Sequence, residues 1–163
     1  MSSPASEVIE ALRQAGATVA TAESLTGGLL CAALVDVPGA SDVVRGGVVA
    51  YASDVKIDLL GVGADTIREH GSVHPVTAAQ MATGALERVG ATWGVSTTGV
   101  AGPDPSEGKP AGTVHIAVAG PDGVVTRDLS FQGDRRSIRE QTVDAALSLL
   151  VGRLGESTDV SDG

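Results

Sequence analysis

ATVATAESLTGGLLCAALVDV, residues 17–37, decides the fold. Residues 18–22 are small and β-branched and end at a turn, which predicts a short buried strand. From Ser24 the sequence predicts a helix that stops at Pro38-Gly39, with Ser24 or Thr26 as its cap. Strand, turn and helix form the first unit of an α/β domain. Upstream, residues 4–15 place Val8, Ile9 and Leu12 at helical spacing, and Gly16 ends the helix. Downstream, residues 43–51 (VVRGGVVAY) predict a strand, whose paired glycines allow a bulge. Short helices follow at 54–60 and 64–70, separated by Gly61. Residues 75–89 predict a strong helix with Pro75 at its start and Met81, Ala82, Ala85, Leu86 and Val89 on one face. A strand is predicted at 93–98, and residues 99–112, with four Gly and three Pro, form a loop. Strands at 113–119 and 124–131 make a hairpin across Gly120-Pro121-Asp122-Gly123, and a helix over 134–154 buries Ile138, Val143, Ala146, Leu149 and Leu150. The expected architecture is a single three-layer α/β/α domain over residues 4–154, with a mixed, mostly parallel sheet. Residues 155–163 (GESTDVSDG) are polar and expected to be a disordered tail.

Composition agrees and excludes several functions. A chain of 163 residues, 42% hydrophobic and 19% charged, suits one globular domain. Its aromatics are Tyr51, Trp93 and Phe131, too few for a base-stacking platform. A net charge of −9 argues against nucleic acid and against an anionic membrane surface as partners. The longest apolar run, residues 29–35, is far short of the ~20 residues of a membrane span. The N-terminus has no basic segment followed by an apolar one, so no signal peptide is read there. Cys31 is the only cysteine, which excludes an internal disulfide; a cytoplasmic protein is the expectation.

Ligands of such sheets sit beyond the carboxyl ends of strands, where residues 23–28, 46–56 and 98–112 are expected. Ser24, at a strand-to-helix turn, suits a nucleophile beside free helix N–H groups, or an anion site. It equally suits a plain helix cap. A serine hydroxyl needs a base. His70 and His74 are not expected to share a helix face, and no third residue is spaced to complete a metal site. His115 lies within a strand and reads as structural. Lysine with a lowered pKa is the other kind of base. The chain has two, Lys56 and Lys109. Lys56 follows Tyr51 by five positions among Val55, Ile57, Leu59 and Leu60; it is expected to be buried near Ser24 and Tyr51 without a tight carboxylate partner. Lys109, in the Gly/Pro loop, reads as solvated. Ser24, Tyr51 and Lys56 would supply nucleophile, proton shuttle and base with no metal or cofactor. Thr98, Gly99, Ala101 and Gly102 let a ligand approach backbone amides, or simply make a tight connection. Arg135, at the start of the last helix, can clamp a phosphate or carboxylate, or stay solvated.

TAESLTGG, GGVVAYASDVKIDLLGV, STTGVAGPDP with GKPAGTVHIA, and GDRRSIREQ occur in this order across residues 8–150. Together they resemble the CinA C-terminal domain family, whose members include bacterial nicotinamide mononucleotide amidohydrolases of the PncC type. The resemblance implies hydrolysis of the carboxamide of nicotinamide mononucleotide to nicotinate mononucleotide and ammonia, without metal or cofactor. It implies Ser24 as nucleophile, Lys56 as base and Tyr51 as the active-site tyrosine. Thr26, Gly27, Gly28, Gly47, Thr98, Gly99, Ala101, Gly102 and Arg135 are the expected substrate-side residues, and a homo-oligomer, first a dimer, is the expected assembly. The wider family also carries a nucleotide pyrophosphatase domain upstream; none precedes residue 1, so that activity is expected to be absent. The alternative function is a non-catalytic nucleotide-binding or regulatory module. A phosphotransferase is a weaker third reading, because no complete P-loop is present.

Overall fold

The computed structural model describes residues 2–161, with side chains through Ser157. In chain order the elements are α1 (Pro4–Ala15), β1 (Val19–Glu23), α2 (Leu29–Val35), a short 3-10 turn (Ala40–Asp42), β2 (Val44–Val49), α3 (Ser53–Leu60), α4 (Ala64–His70), α5 (Pro75–Val89), β3 (Trp93–Gly99), β4 (Thr113–Gly120), β5 (Gly123–Ser130) and α6 (Arg135–Ser161). The five strands form one sheet in the order β2-β1-β3-β4-β5. The pairings of β1 with β2 and β3 are parallel, and those of β4 with β3 and β5 are antiparallel. Only β4 therefore runs against the others, as expected of a mixed, mostly parallel sheet. The expected bulge lies in β2: Val19 pairs with Val44 but Ala20 pairs with Gly46, leaving Arg45 as the extra residue.

Helices α1, α2 and α6 cover one face of the sheet, and α3, α4 and α5 lie on the other. The first side packs Val8, Ile9 and Leu12 of α1 and Ile138, Ala146 and Leu150 of α6 against Val95, Val114 and Ile116. The second is thinner and built from alanine, with Ala78, Ala82 and Ala85 of α5 facing Ala20, Ala22, Ala117 and Ala119. Such small side chains let α5 come very close. A Cβ at Gly84 would stand 1.9 Å from the Leu60 carbonyl oxygen, and one at Gly94 would stand 2.1 Å from that of Ala82. Glycine is required at both contacts.

Two helix ends differ from expectation. Helix α2 begins at Leu29, not at Ser24, with Gly28 as its cap in a left-handed conformation (φ 105°). Neither Ser24 nor Thr26 caps it, because Gly27 and Gly28 turn the chain (φ 56° and 105°) before the helix can start. Helix α6 runs to Ser161, past the expected end at residue 154. Helix growth is cooperative once the packed turns through Leu154 exist, so the helix continues into the polar residues that follow. Thus 155–161 are helical rather than a disordered tail, and 162–163 lie outside the described residues. No helix among the described residues is long and apolar enough to cross a membrane.

Candidate active site

The carboxyl ends of β1, β2 and β3 open into a cavity of about 430 Å³, into which Ser24, Tyr51, Ser72, Thr98, Ala101 and Arg135 project or lend backbone. Ser24 follows β1 directly, and its N–H donates to the Thr97 carbonyl on β3 at 3.0 Å. That bond extends the β1–β3 pairing past the strand end and fixes the serine backbone. Ser24 is only 8% exposed.

Lys56 comes from α3 beneath this floor and is 1% exposed. Its Nζ lies 2.9 Å from Ser24 Oγ, 2.8 Å from the Ala50 carbonyl and 2.9 Å from the Tyr51 carbonyl. The set suits both charge states. An ammonium donates to all three oxygens. A neutral amine donates to the two carbonyls and turns its lone pair to the serine O–H, since only the hydroxyl can reverse its role. No carboxylate pairs with Lys56 among the described residues. Burial pushes its pKa down from 10.5 to about 8, against the opposing charge of Glu107.

Tyr51 is placed differently from the expected shuttle. Its backbone carbonyl, not its phenol, meets Lys56. The phenol sits at the rim, 61% exposed, and accepts from Arg135 Nη2 at 3.2 Å. Arg135 also donates through Nη1 to the Gly102 carbonyl at 2.7 Å. The guanidinium is thus held at the cavity mouth by two oxygens, neither a carboxylate, and makes no ion pair among the described residues.

Thr98, Gly99, Ala101 and Gly102 line the cavity with Ser24, Tyr51 and Arg135. Thr26, Gly27, Gly28 and Gly47 do not. Thr26 is fully buried, and a Cβ at Gly47 would stand 2.4 Å from Thr21 Oγ1 and 3.0 Å from Cys31 Sγ. The reason is Glu23. Its buried carboxylate accepts from the N–H groups of Gly28 (3.2 Å), Leu30 (2.8 Å) and Cys31 (3.0 Å), and from the Thr26 hydroxyl (2.6 Å). The N–H groups at the start of α2, expected to face a ligand, are filled from within by the residue before Ser24. Leu25 and Ala101 line the cavity, and their N–H groups carry no hydrogen bond among the described residues.

Sequence reading also missed residues. Arg139 donates to the Leu25 carbonyl at 2.8 Å and the Thr26 carbonyl at 3.2 Å, bracing the turn around Ser24. Its spacing of four from Arg135 on one helix was the available signal. Ser72, Val73 and Ser106 line the cavity with no motif to mark them. Lys109, expected to be solvated, is half-buried and donates to the Val73 carbonyl. His70 and His74 stack with ring centroids 4.3 Å apart, and His115 pairs with Asp128 at 2.7 Å. Among the described residues no group of three His, Cys, Asp or Glu is placed to hold a metal ion.

The sequence model of the CinA C-terminal domain matches residues 1–154. A CinA-like protein of Frankia casuarinae is 51% identical over 161 residues, covering 96% of this chain and 37% of that protein. One from Mycolicibacterium gilvum is 49% identical over 138 residues, covering 83% of this chain and 33% of that protein. The chain therefore spans about a third of the length of the curated relatives it matches. Among solved structures, the competence/damage inducible protein CihA from Agrobacterium tumefaciens superimposes with a TM-score of 0.89 at 42% identity, covering 93% of each chain. A CinA superfamily protein from Klebsiella pneumoniae gives a TM-score of 0.91 at 34% identity, covering 94% of this chain and 96% of that one.

Proposed function

The chain belongs to the CinA C-terminal domain family, and from that membership and the site geometry we propose that it is a serine–lysine amidohydrolase acting on nicotinamide mononucleotide. The observation that carries the reading is the buried Lys56 amine 2.9 Å from Ser24 Oγ. A module that only binds a nucleotide has no use for a desolvated lysine whose pKa is about 8.

The neutral Lys56 Nζ takes the Ser24 proton as Oγ bonds to the carboxamide carbon, and the carbonyl electron pair moves onto its oxygen. The N–H groups of Leu25 and Ala101, two residues that line the cavity with Ser24, would donate to that oxyanion. Lys56 then gives the proton to the amide nitrogen, the C–N bond breaks and ammonia leaves a seryl ester. Water attacks the ester, again losing a proton to Lys56. The acyl C–O bond breaks, Ser24 recovers its proton and nicotinate mononucleotide departs. The cavity of about 430 Å³ is of a size for a mononucleotide, and Arg135 at its mouth suits the phosphate.

The test is ammonia release from nicotinamide mononucleotide in the presence of EDTA. Wild type should turn over, and Ser24→Ala should lose several orders of magnitude in kcat while keeping its thermal unfolding profile. Retention of more than a tenth of the activity in Ser24→Ala, or loss in EDTA restored by Zn²⁺, would rule the mechanism out.

A further inference from the structure

The segment Gly71–Val73, between α4 and α5, has no secondary structure of its own, yet each of its backbone polar groups is tied. The Gly71 N–H donates to the Ile67 carbonyl at 2.9 Å, and the Gly71 carbonyl accepts from Thr77 Oγ1 at 2.8 Å. The Ser72 N–H donates to Glu107 Oε1 at 2.9 Å, and the Ser72 carbonyl accepts from Thr98 Oγ1 at 2.7 Å. The Val73 N–H donates to Glu107 Oε2 at 3.0 Å, and the Val73 carbonyl accepts from Lys109 Nζ. The Ser72 hydroxyl adds a further bond to Glu107 Oε2 at 3.0 Å. One carboxylate thus takes the donors and one ammonium takes an acceptor, from two residues on a single turn of the 99–112 loop. That turn is itself closed by paired bonds between Ser106 and Lys109, at 3.0 and 2.9 Å.

Ser72, Val73 and Ser106 line the same cavity as Ser24. The clasp therefore joins two loops, some 35 positions apart in sequence, into one wall of that cavity. Geometry favours Glu107 for its part. Its φ of 51°, rare outside glycine, presents the side chain to the 71–73 segment. Opposite it, Gly71 takes a φ of 81° that favours glycine, and a Cβ there would stand 2.8 Å from Glu107 Oε1, so a side chain at 71 would displace the carboxylate. Burial works to raise the Glu107 carboxyl. The hydrogen bonds from Ser72 and Val73 and the charge of Lys109 outweigh it and hold its pKa below the ordinary value.

We propose that Glu107 and Lys109 are positioning residues for substrate binding: together they clasp the Gly71–Val73 segment and so hold the cavity wall in its binding-competent shape. The clasp makes no hydrogen bond to Ser24 or Lys56; its one link to them is the Glu107 charge, which opposes the lowering of the Lys56 pKa and is kept in Lys109→Met, so in that variant it acts on how the substrate is held more than on the bond-breaking step. As a statement about substrate, this rests on the amidohydrolase reading. The clasp itself is measurable without turnover.

Two measurements test it on the full chain, with Glu107→Gln and Lys109→Met. Glu107→Gln keeps the shape but sets an NH₂ against N–H donors. Lys109→Met keeps the stem without the charge. Amide hydrogen exchange should show loss of protection at Ser72 and Val73 in both variants, with β1 and β3 unchanged. Steady-state kinetics on nicotinamide mononucleotide should show KM raised at least tenfold against a smaller fall in kcat. Unchanged protection overturns the clasp. Lost protection with an unchanged KM overturns its role in binding. Equal falls in kcat and kcat/KM place it in the chemical step and overturn it as stated. If wild type fails to hydrolyse the mononucleotide, the amidohydrolase reading falls, and exchange alone decides whether the clasp exists. Should Glu107→Gln not fold, Lys109→Met carries both measurements.

Discussion

Removing the Lys56 amine should change activity and stability with linked pH signatures. With a pKa of about 8 in the folded chain, roughly 20% of Lys56 is neutral at pH 7.4; at the ordinary 10.5 it would be about 0.1%. Burial therefore raises the supply of base about 250-fold at that pH. The acid limb of kcat/KM, which reports the free enzyme, should break near pH 8 and fall tenfold per pH unit below about 7. Lys56→Arg should be as inactive as Lys56→Ala, since a guanidinium stays charged. Stability follows the same shift. The folded pKa lies below the unfolded one, so between pH 8 and 10.5 the unfolded chain holds the proton that the folded chain has released. Stability contributed by this group must therefore rise with pH through that window. The penalty for burying the charge is present in full below pH 8. Between pH 7 and 10 the gain is roughly 2.5 kcal/mol for these pKa values. Urea unfolding of wild type and Lys56→Met at the two pH values isolates it, because other titrations cancel in the difference. Parallel pH dependence in the two proteins, or an acid limb near pH 10, would refute the burial reasoning.

Two further outcomes follow from single contacts. Arg135→Ala should raise KM for the mononucleotide several-fold with kcat nearly kept, and should leave kinetics on the dephosphorylated riboside unchanged; an equal effect on both substrates would remove Arg135 from phosphate binding. Gly84→Ala should destabilise the fold by about 2 kcal/mol or more, read as a lower urea midpoint, because its Cβ would meet the Leu60 backbone at 1.9 Å and backbone cannot step aside as a flexible side chain does.

Much was determined by the sequence by itself. Period-two and period-3.6 apolar patterns, with glycine and proline at the breaks, give every strand and helix, because those signals are local. They also place Ser24, Tyr51 and Thr98 at or just beyond the carboxyl ends of strands, where ligands of such sheets bind. The apolar neighbours of Lys56 mark it as the better candidate base, and it is buried although Leu59 beside it is 52% exposed. The partners of these residues depend on segments far apart in sequence. Glu23 and the loop glycines read as a ligand-facing turn, yet the carboxylate folds back onto the N–H groups of α2, three-dimensional packing having consumed the donors that spacing left free. Tyr51 lends its carbonyl to Lys56 and its phenol to Arg135, a division that backbone direction fixes and sequence does not encode locally. In the sequence Lys109 reads as a solvated loop charge, and nothing marks Glu107 out. Their role exists only because β3 and β4 return the 99–112 loop beside the Gly71–Val73 segment, and a contact between residues some 35 positions apart leaves no periodic trace.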